Sequence, residues 1–577
     1  MKGEDKVMSK LDSYLRGILS ALFFTAVALF FGLAYPHHLH FQEQYQLFEW
    51  TLPYFRSVVA VPGGFADWCG RFLTQFFLSS WAGAFLMSSL LVAMQLLCWK
   101  LMRRKSLFSY VLSFLPALVL FIATLDYTMM PGAAVALDLA LCLALPVVGM
   151  PASGVRTALS LAGIPVVYML CGPVAVIYAL ICATGEKISV LPVSLLICAA
   201  CPLVSRLIFH FSVPQLLTGV HYCRSEGPCI IIFWISAAVA LILPVVSLLI
   251  RDRFKSVADY PASAVLFTII AIAAFSGVKR NADFSHEEVM RYDWLCRQEK
   301  WDEIIENQRT KPSDKVLAGC CLNLALCKKG VMSEQMFNYG QHGVQGLFPE
   351  FKIVYTLPIQ VAEVFWNLGM VSACQNYIFE AQEAIPDFQK SARCYVRLAE
   401  TNMVDGRYEV ARRYLNSLSN TLFYGKWAKK MAAMLSDEAA VAADETIAGM
   451  RALRLKHDII FDEGRIDEIL RAHIEETPEN RAAYEYLLAY DLLEMDLDAF
   501  KRDFDPGRFP VVPKHYQEAV LMSMVDDGLK LEEAPAYVAP AMVERMLSFI
   551  KDVKAGKSKS FMHKKYGDTY WLYCTDD

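Results

Sequence analysis

No glycine-rich phosphate loop, zinc-ligand spacing, Ser-His-Asp signature or dinucleotide-binding fingerprint stands out in this chain of 577 residues. Nucleotide-dependent chemistry is therefore disfavoured. Charge is scarce: only 20% of residues are charged and the formal net charge is -4, which leaves no basic footprint for nucleic acid. No small-residue cleavage site precedes His37, so the first apolar run reads as an uncleaved membrane helix rather than a removed signal. Apolar residues fill the gap. They make up 55% of the chain, with a mean hydropathy of +0.33, above the usage of soluble globular proteins. Much of the surface must face lipid. Of the 16 cysteines, most of those before Val278 lie inside apolar runs, where a thiol acts as a small hydrophobe. Cys198-Ala-Ala-Cys201 has redox or metal spacing, but no charged neighbour supports chemistry there. Cys69, Cys223 and Cys229 fall in or beside expected outer loops, where oxidation is chemically open.

The run Tyr260–Val278 divides the chain. It is long enough to cross a bilayer core, which takes about 20 residues, and nothing after it is. Before it, apolar runs follow one another: Ile18–Leu33, Trp81–Trp99, Leu107–Leu125, Gly132–Met150, Ile188–Val204 and Ile230–Ile250. Between Val155 and Thr184, Gly163, Pro165, Gly172 and Pro173 break the pattern, because proline removes a helical hydrogen bond and glycine favours bends. Two short spans meeting near Cys171-Gly172-Pro173, or a re-entrant pair, both fit. Basic residues favour the cytoplasmic side of short loops. Lys2, Lys6, Lys10 and Arg16, the cluster Lys100, Arg103, Arg104 and Lys105, and the loop Arg251-Asp252-Arg253-Phe254-Lys255 set the N-terminus inside; Lys279-Arg280 is the opposing cue. The expectation is about nine crossings, an external first loop at 37–80, and a C-terminal half outside the cytoplasmic membrane.

From Asn281 the sequence has helical periodicity and short Gly or Asp turns, without strand-like alternation. Gly369 is followed by Ala381 and Pro386, and Leu398-Ala399 by Gly406-Arg407-Tyr408 and Ala411; weaker copies occur at Trp301, Gly330 and Gly464. This pattern resembles a degenerate tetratricopeptide repeat. The fold class is thus all-α: a polytopic helical membrane domain at 1–280, a TPR-like α-solenoid at 281–500, and a helical extension and tail at 501–577. The aromatics of the tail, Tyr566 and Tyr570-Trp571-Leu572-Tyr573, suit docking on the solenoid or at a membrane interface, and its lysines a solvated face.

Functional candidates concentrate in the first loop. Glu43 lies just beyond the first helix, Asp67 follows the Pro62-Gly63-Gly64 turn, and Trp68, Phe72, Leu73, Phe76 and Phe77 make an amphipathic segment suited to the membrane surface. A carboxylate at that boundary can act as general base towards an acceptor, or simply cap an interfacial helix. His37, His38 and His40 do not share one helix face and read as a solvated boundary cluster rather than a metal site. Asp138 is an isolated acid inside an apolar run, where acids usually face a polar cavity. His221, Tyr222 and Arg224 form the polar centre of the second outer loop.

A cytoplasmic N-terminus, one span, and an external loop opening on Glu43 with the Pro-Gly-Gly turn and interfacial run resemble the GT-C class of integral membrane glycosyltransferases, some of which carry TPR repeats on the outer side. The resemblance covers the first half as architecture and this loop as motif. It implies Glu43 as base or metal ligand, and Arg206 or Arg224 as contacts for the phosphate of a lipid-linked sugar donor, with His221 and Asp126 beside them; a divalent metal would be the cofactor. Members often show two neighbouring acids, whereas Glu43 is followed by Gln44. The whole chain also looks like uncharacterised bacterial multi-pass proteins with helical-repeat tails. The expected function is sugar transfer from a polyprenyl-phosphate carrier on the outer face, with the repeats recruiting acceptor or partner protein. The alternative is a non-catalytic membrane scaffold whose repeats bind a protein partner.

Overall fold

Apolar segments in lipid can satisfy their backbone polar groups only within themselves, so they fold as helices. They do so in the computed structural model, which describes residues 2–104, 106–184, 186–224, 228–249, 259–350, 357–386, 389–457 and 463–575. Among the described residues no strand forms, and the only β pairing consists of two isolated bridges. The chain divides into two compact units: 1–287 with 386–392 and 417–426, and 288–385 with 393–416 and 427–577.

The first unit contains α1 (Lys2–Leu29), α2 (Pro36–Gln44), α3 (Leu52–Val59), α4 (Gly64–Thr74), α5 (Ser80–Met102), α6 (Leu107–Leu112), α7 (Phe114–Ala123), α8 (Pro131–Gly149), α9 (Gly154–Cys171), α10 (Ala175–Ala183), α11 (Val190–Ile208), α12 (Val213–Thr218), α13 (Pro228–Leu249) and α14 (Asp259–Asn281). Among the described residues seven helical segments are long and apolar enough to cross a membrane, with α9 and α10 together counted as one, or up to eight if the bent pair Val316–Lys328 and Met332–Asn338 is one span. That pair lies in the second unit, where Val316–Lys328 is buried round most of its circumference. At about 1.5 Å per residue it is also too short to cross alone, so its apolarity marks a domain core. The basic loop at 251–255, Lys105, and the side chains of Lys2, Lys6 and Lys10 lie outside the described residues.

The core of the first unit is built on small residues. Ala84, Ala117, Ala133, Ala136, Ala140, Ala144, Ala179, Ala237 and Ala240 are fully buried, which lets helix backbones approach where lipid supplies no hydrophobic drive. The α9–α10 region turns back on itself. Arg156, at the start of α9, pairs with Glu186, just past α10, at 2.8 Å, and Tyr178 Oη donates to the Leu159 carbonyl. The two helices are therefore antiparallel, turning at Gly172 with φ +80°.

In the second unit, helices pair across tight turns. Gly369, between Leu357–Asn367 and Val371–Glu383, has φ +78°, and a Cβ there would meet the Leu453 carbonyl oxygen at 2.8 Å. Gly406 holds the same left-handed turn between Ala392–Val404 and Tyr408–Ser419. Ala381 and Ala411, in the second helix of each pair, are fully buried. The pattern read as repeats thus marks helical hairpins, with its glycines in the turns.

The tail aromatics dock within this unit. Tyr566, Tyr570 and Trp571 are fully buried, Trp571 Nε1 donates to the Glu518 carbonyl at 2.8 Å, and the Tyr570 amide donates to the Glu518 carboxylate at 3.0 Å. Lys557, Lys559 and Lys564 stay exposed.

Candidate functional site

The polar start of the first loop is a short helix held at its head. Pro36 occupies the first turn of α2, where a missing amide costs nothing. The next two amides, of His37 and His38, both donate to the Glu287 carboxylate at 2.8 Å. An anion there is favoured by the free amides and the helix dipole. The expected solvated histidine cluster does not form. His38 and His40 are buried; the His38 ring stacks on Tyr35 at 4.9 Å, and burial, then the neighbouring His286, pulls its pKa down to about 3. Their apolar surroundings take up side chains that polarity alone would have placed in water.

One turn on, Gln42 Nε2 donates to the carbonyls of Met129 at 2.8 Å and Tyr127 at 3.2 Å. Glu43 is 3% exposed and its Oε1 accepts from Tyr424 Oη at 2.7 Å. The segments 389–392 and 417–426 enclose this stretch. Ser391 Oγ donates to the Gln44 carbonyl, Lys390 pairs with Glu49 at 3.1 Å, and the Trp50 amide donates to the Asn420 carbonyl at 2.8 Å. The space beside Glu43, bounded by Gln75, Phe48 and Tyr424, is about 20 Å³, room for a single water. None of Asp126, Arg206, His221 or Arg224 lines it.

The Pro62-Gly63-Gly64 turn seats the loop on the α9–α10 turn. Gly63 has φ +79°, its amide donates to the Met169 carbonyl at 3.0 Å, and a Cβ on it would come within 3.3 Å of Gly172. In α4, Asp67 is paired with Arg71 at 2.7 Å, both nearly buried. That carboxylate is neutralised in place. The aromatic run packs on the same loop: Phe72 meets Phe48 and Trp50 at 5.7 and 5.4 Å, and Phe76 meets Phe423 at 5.8 Å.

The other expected site residues are split. Asp126 Oδ1 accepts from the Thr128 amide and hydroxyl at 2.9 and 2.7 Å, closing its own turn. The Arg224 amide donates to the Thr128 carbonyl at 2.8 Å, and its Nε approaches Met130 Sδ at 3.0 Å. These two residues share one pairing of loops, anchored by the bridge between Met129 and Cys223. His221 is half-buried against the Phe211 ring. Arg206 is exposed in the last turn of α11. Among the described residues no group of three or more His, Cys, Asp or Glu is placed to hold a metal ion. With Gln44 beside Glu43, the implied divalent metal does not fit.

Two apolar hollows flank α10 between α11 and α13. One, of about 510 Å³, is lined by Tyr168, Val176, Leu195, Cys198, Pro202 and Trp234. The other, of about 570 Å³, is lined by Leu180, Thr184, Lys187, Leu191, Leu241 and Val245. Arg206 follows Pro202 by one helical turn and so continues its face. No sequence signal singled out these hollows, because continuous apolar runs do not distinguish lipid-facing from cavity-facing positions. Tyr424, Ser391 and Glu287 also escaped sequence reading, since their roles depend on contacts hundreds of positions away.

A family model described as a family of unknown function (DUF6057) matches residues 13–576, and the chain belongs to that family. No curated protein and no solved structure matches the chain.

Proposed function

We propose that this family member is a non-catalytic, membrane-anchored helical scaffold: the first unit holds it in the cytoplasmic membrane, and the helical hairpins of the second bind a protein partner on the outer side. The observation that carries this reading is the enclosure of Glu43. The best-placed carboxylate is bonded to Tyr424 beside a space for one water, too small for a sugar and its acceptor. Arg16, Lys100, Arg103 and Arg104 supply the cytoplasmic bias. A count of nine crossings adds α6–α7 and treats α9 and α10 as separate legs.

The scaffold reading is tested in the native host. A photo-cross-linking residue at the exposed Phe379 or Leu547 is expected to yield a discrete protein adduct, while Glu43→Gln leaves envelope glycans unchanged at equal protein abundance. Altered glycans in that variant would overturn it.

Sugar transfer from a polyprenyl-phosphate carrier is the second reading, favoured by the 510 Å³ hollow with Arg206 on the continuing face. An isoprenoid chain suits the hollow and an anionic head suits the guanidinium. Arg206→Glu together with Glu43→Gln would then change the same glycans.

A further inference from the structure

We propose that Cys223 and Cys229 are joined by a disulfide in the folded protein, tying the first turn of α13 to the segment that pairs with Met129. The two sulfur atoms stand 2.7 Å apart, far inside the contact distance of unbonded sulfurs and close to the bond length of about 2.05 Å. The backbone that presents them is held from several sides. Cys223 pairs with Met129 in an isolated bridge, the Met130 amide donates to the Tyr222 carbonyl at 2.9 Å, and the Arg224 amide donates to the Thr128 carbonyl at 2.8 Å. Cys229, in the first turn of α13, rests on the same segment, with its Sγ 3.5 Å from Thr128 Oγ1. One short stretch, 128–130, therefore positions both thiols.

The chemistry fixes the order of events. Cys223 is half-buried and Cys229 is 1% exposed, so the Cys223 thiolate is the one that reaches an incoming oxidant, the disulfide of a thiol–disulfide oxidoreductase. Its attack forms a mixed disulfide and expels one carrier thiolate. The Cys229 thiolate then attacks the Cys223 sulfur, forming the internal bond and releasing the carrier as a dithiol. Two electrons pass to the carrier; the two thiol protons end on the carrier thiols or in water. Such oxidation belongs to an oxidising face, so the link also reports on which side of the membrane this loop lies. The loop it secures carries Tyr222, whose hydroxyl donates to the Cys171 carbonyl at the α9–α10 turn. The proposal rests on neither reading of Glu43.

The test uses the full-length chain in native membranes, acid-quenched, blocked with N-ethylmaleimide in denaturant without reductant, and digested with trypsin. The expected result is peptide 207–224 covalently linked to peptide 225–251 as the major form, separating on reduction. Cys223→Ser and Cys229→Ser should each abolish the linked species and leave the remaining cysteine alkylated. Recovery of both peptides chiefly as maleimide adducts from unreduced wild-type membranes would overturn the proposal.

Discussion

Glu43 and Tyr424 are 381 positions apart in the chain and share a 2.7 Å hydrogen bond within one compact unit. The phenol is the donor and the carboxylate the acceptor, and the bond forms where Glu43 has almost no access to water. Tyr424→Phe removes the donor and leaves a buried carboxylate short of a partner. The expected loss is about 1–3 kcal/mol, seen as a lower midpoint of thermal unfolding in detergent. Glu43→Gln, which keeps the shape and a hydrogen-bonding oxygen, should cost less. The reverse ranking would show that the contact is not formed.

Gly70 and Gly132 let α4 and α8 cross backbone to backbone. A Cβ on Gly70 would lie 2.3 Å from the Gly132 amide nitrogen, and no flexible side chain is there to yield. Gly70→Ala is expected to lower the yield of folded protein sharply, whereas Gly149→Ala, with open space around it, should be silent. Comparing the monodisperse fraction of the two variants by size-exclusion chromatography checks this.

Arg393 is the hub of a buried ion network in the second unit. It bonds Asp293 at 2.7 Å and Glu363 at 3.3 Å, and Arg397 holds the other side of Glu363 at 2.7 Å. Truncation to Ala would strand buried carboxylates, a change that typically costs about 3–5 kcal/mol. Chemical denaturation should show that loss for Arg393→Ala and a smaller one for the exposed Arg309→Ala.

Burial, and then the nearby Asp503, lifts the Asp491 carboxyl to about pH 8. The unfolded chain releases that proton near an ordinary Asp value of about 3.9. Between these values the folded state binds more protons, so this residue makes stability fall as pH rises through the window. Asp491→Asn should flatten that part of the stability profile and make the protein more stable than wild type at the alkaline end. An unchanged slope in the variant would refute the assignment.

Asp138 lies on α8, 9% exposed, with no hydrogen-bond partner for either carboxylate oxygen among the described residues. A buried polar group without a partner is a cost. Asp138→Leu is expected to raise the thermal midpoint in detergent. A fall instead would mean that a polar cavity or a bound group satisfies the acid.

The helices of the first unit could be read in the amino-acid order because each apolar run carries its own reason to be helical in lipid. The enclosure of Glu43 could not. Ser391, Lys390 and Tyr424 sit in stretches with no local pattern, and only the folded chain brings them to residues 43–49. Their place in or beside expected outer loops named Cys69, Cys223 and Cys229 as candidates for oxidation but could not choose among pairs; the 2.7 Å approach of the Cys223 and Cys229 sulfurs supports one. The histidines misled for a related reason. Their polarity suggested water, yet Glu287, some 250 positions later, caps the helix that carries them and draws it inward. The tail aromatics left two docking places open; the Phe337 ring, 5.2 Å from that of Tyr570, and the Leu493 carbonyl, which accepts from Tyr573 Oη at 3.2 Å, place them on the helices of 281–500.

The Arg156–Glu186 pair has a consequence for parity. Because the start of α9 and the residue after α10 meet, the chain leaves this pair at the level where it entered. In a bilayer such a hairpin, whether it traversed the core or only dipped into it, would add an even number of crossings, so α11 would set out in the same direction either way. The orientation of everything downstream would then be insulated from the depth of that excursion.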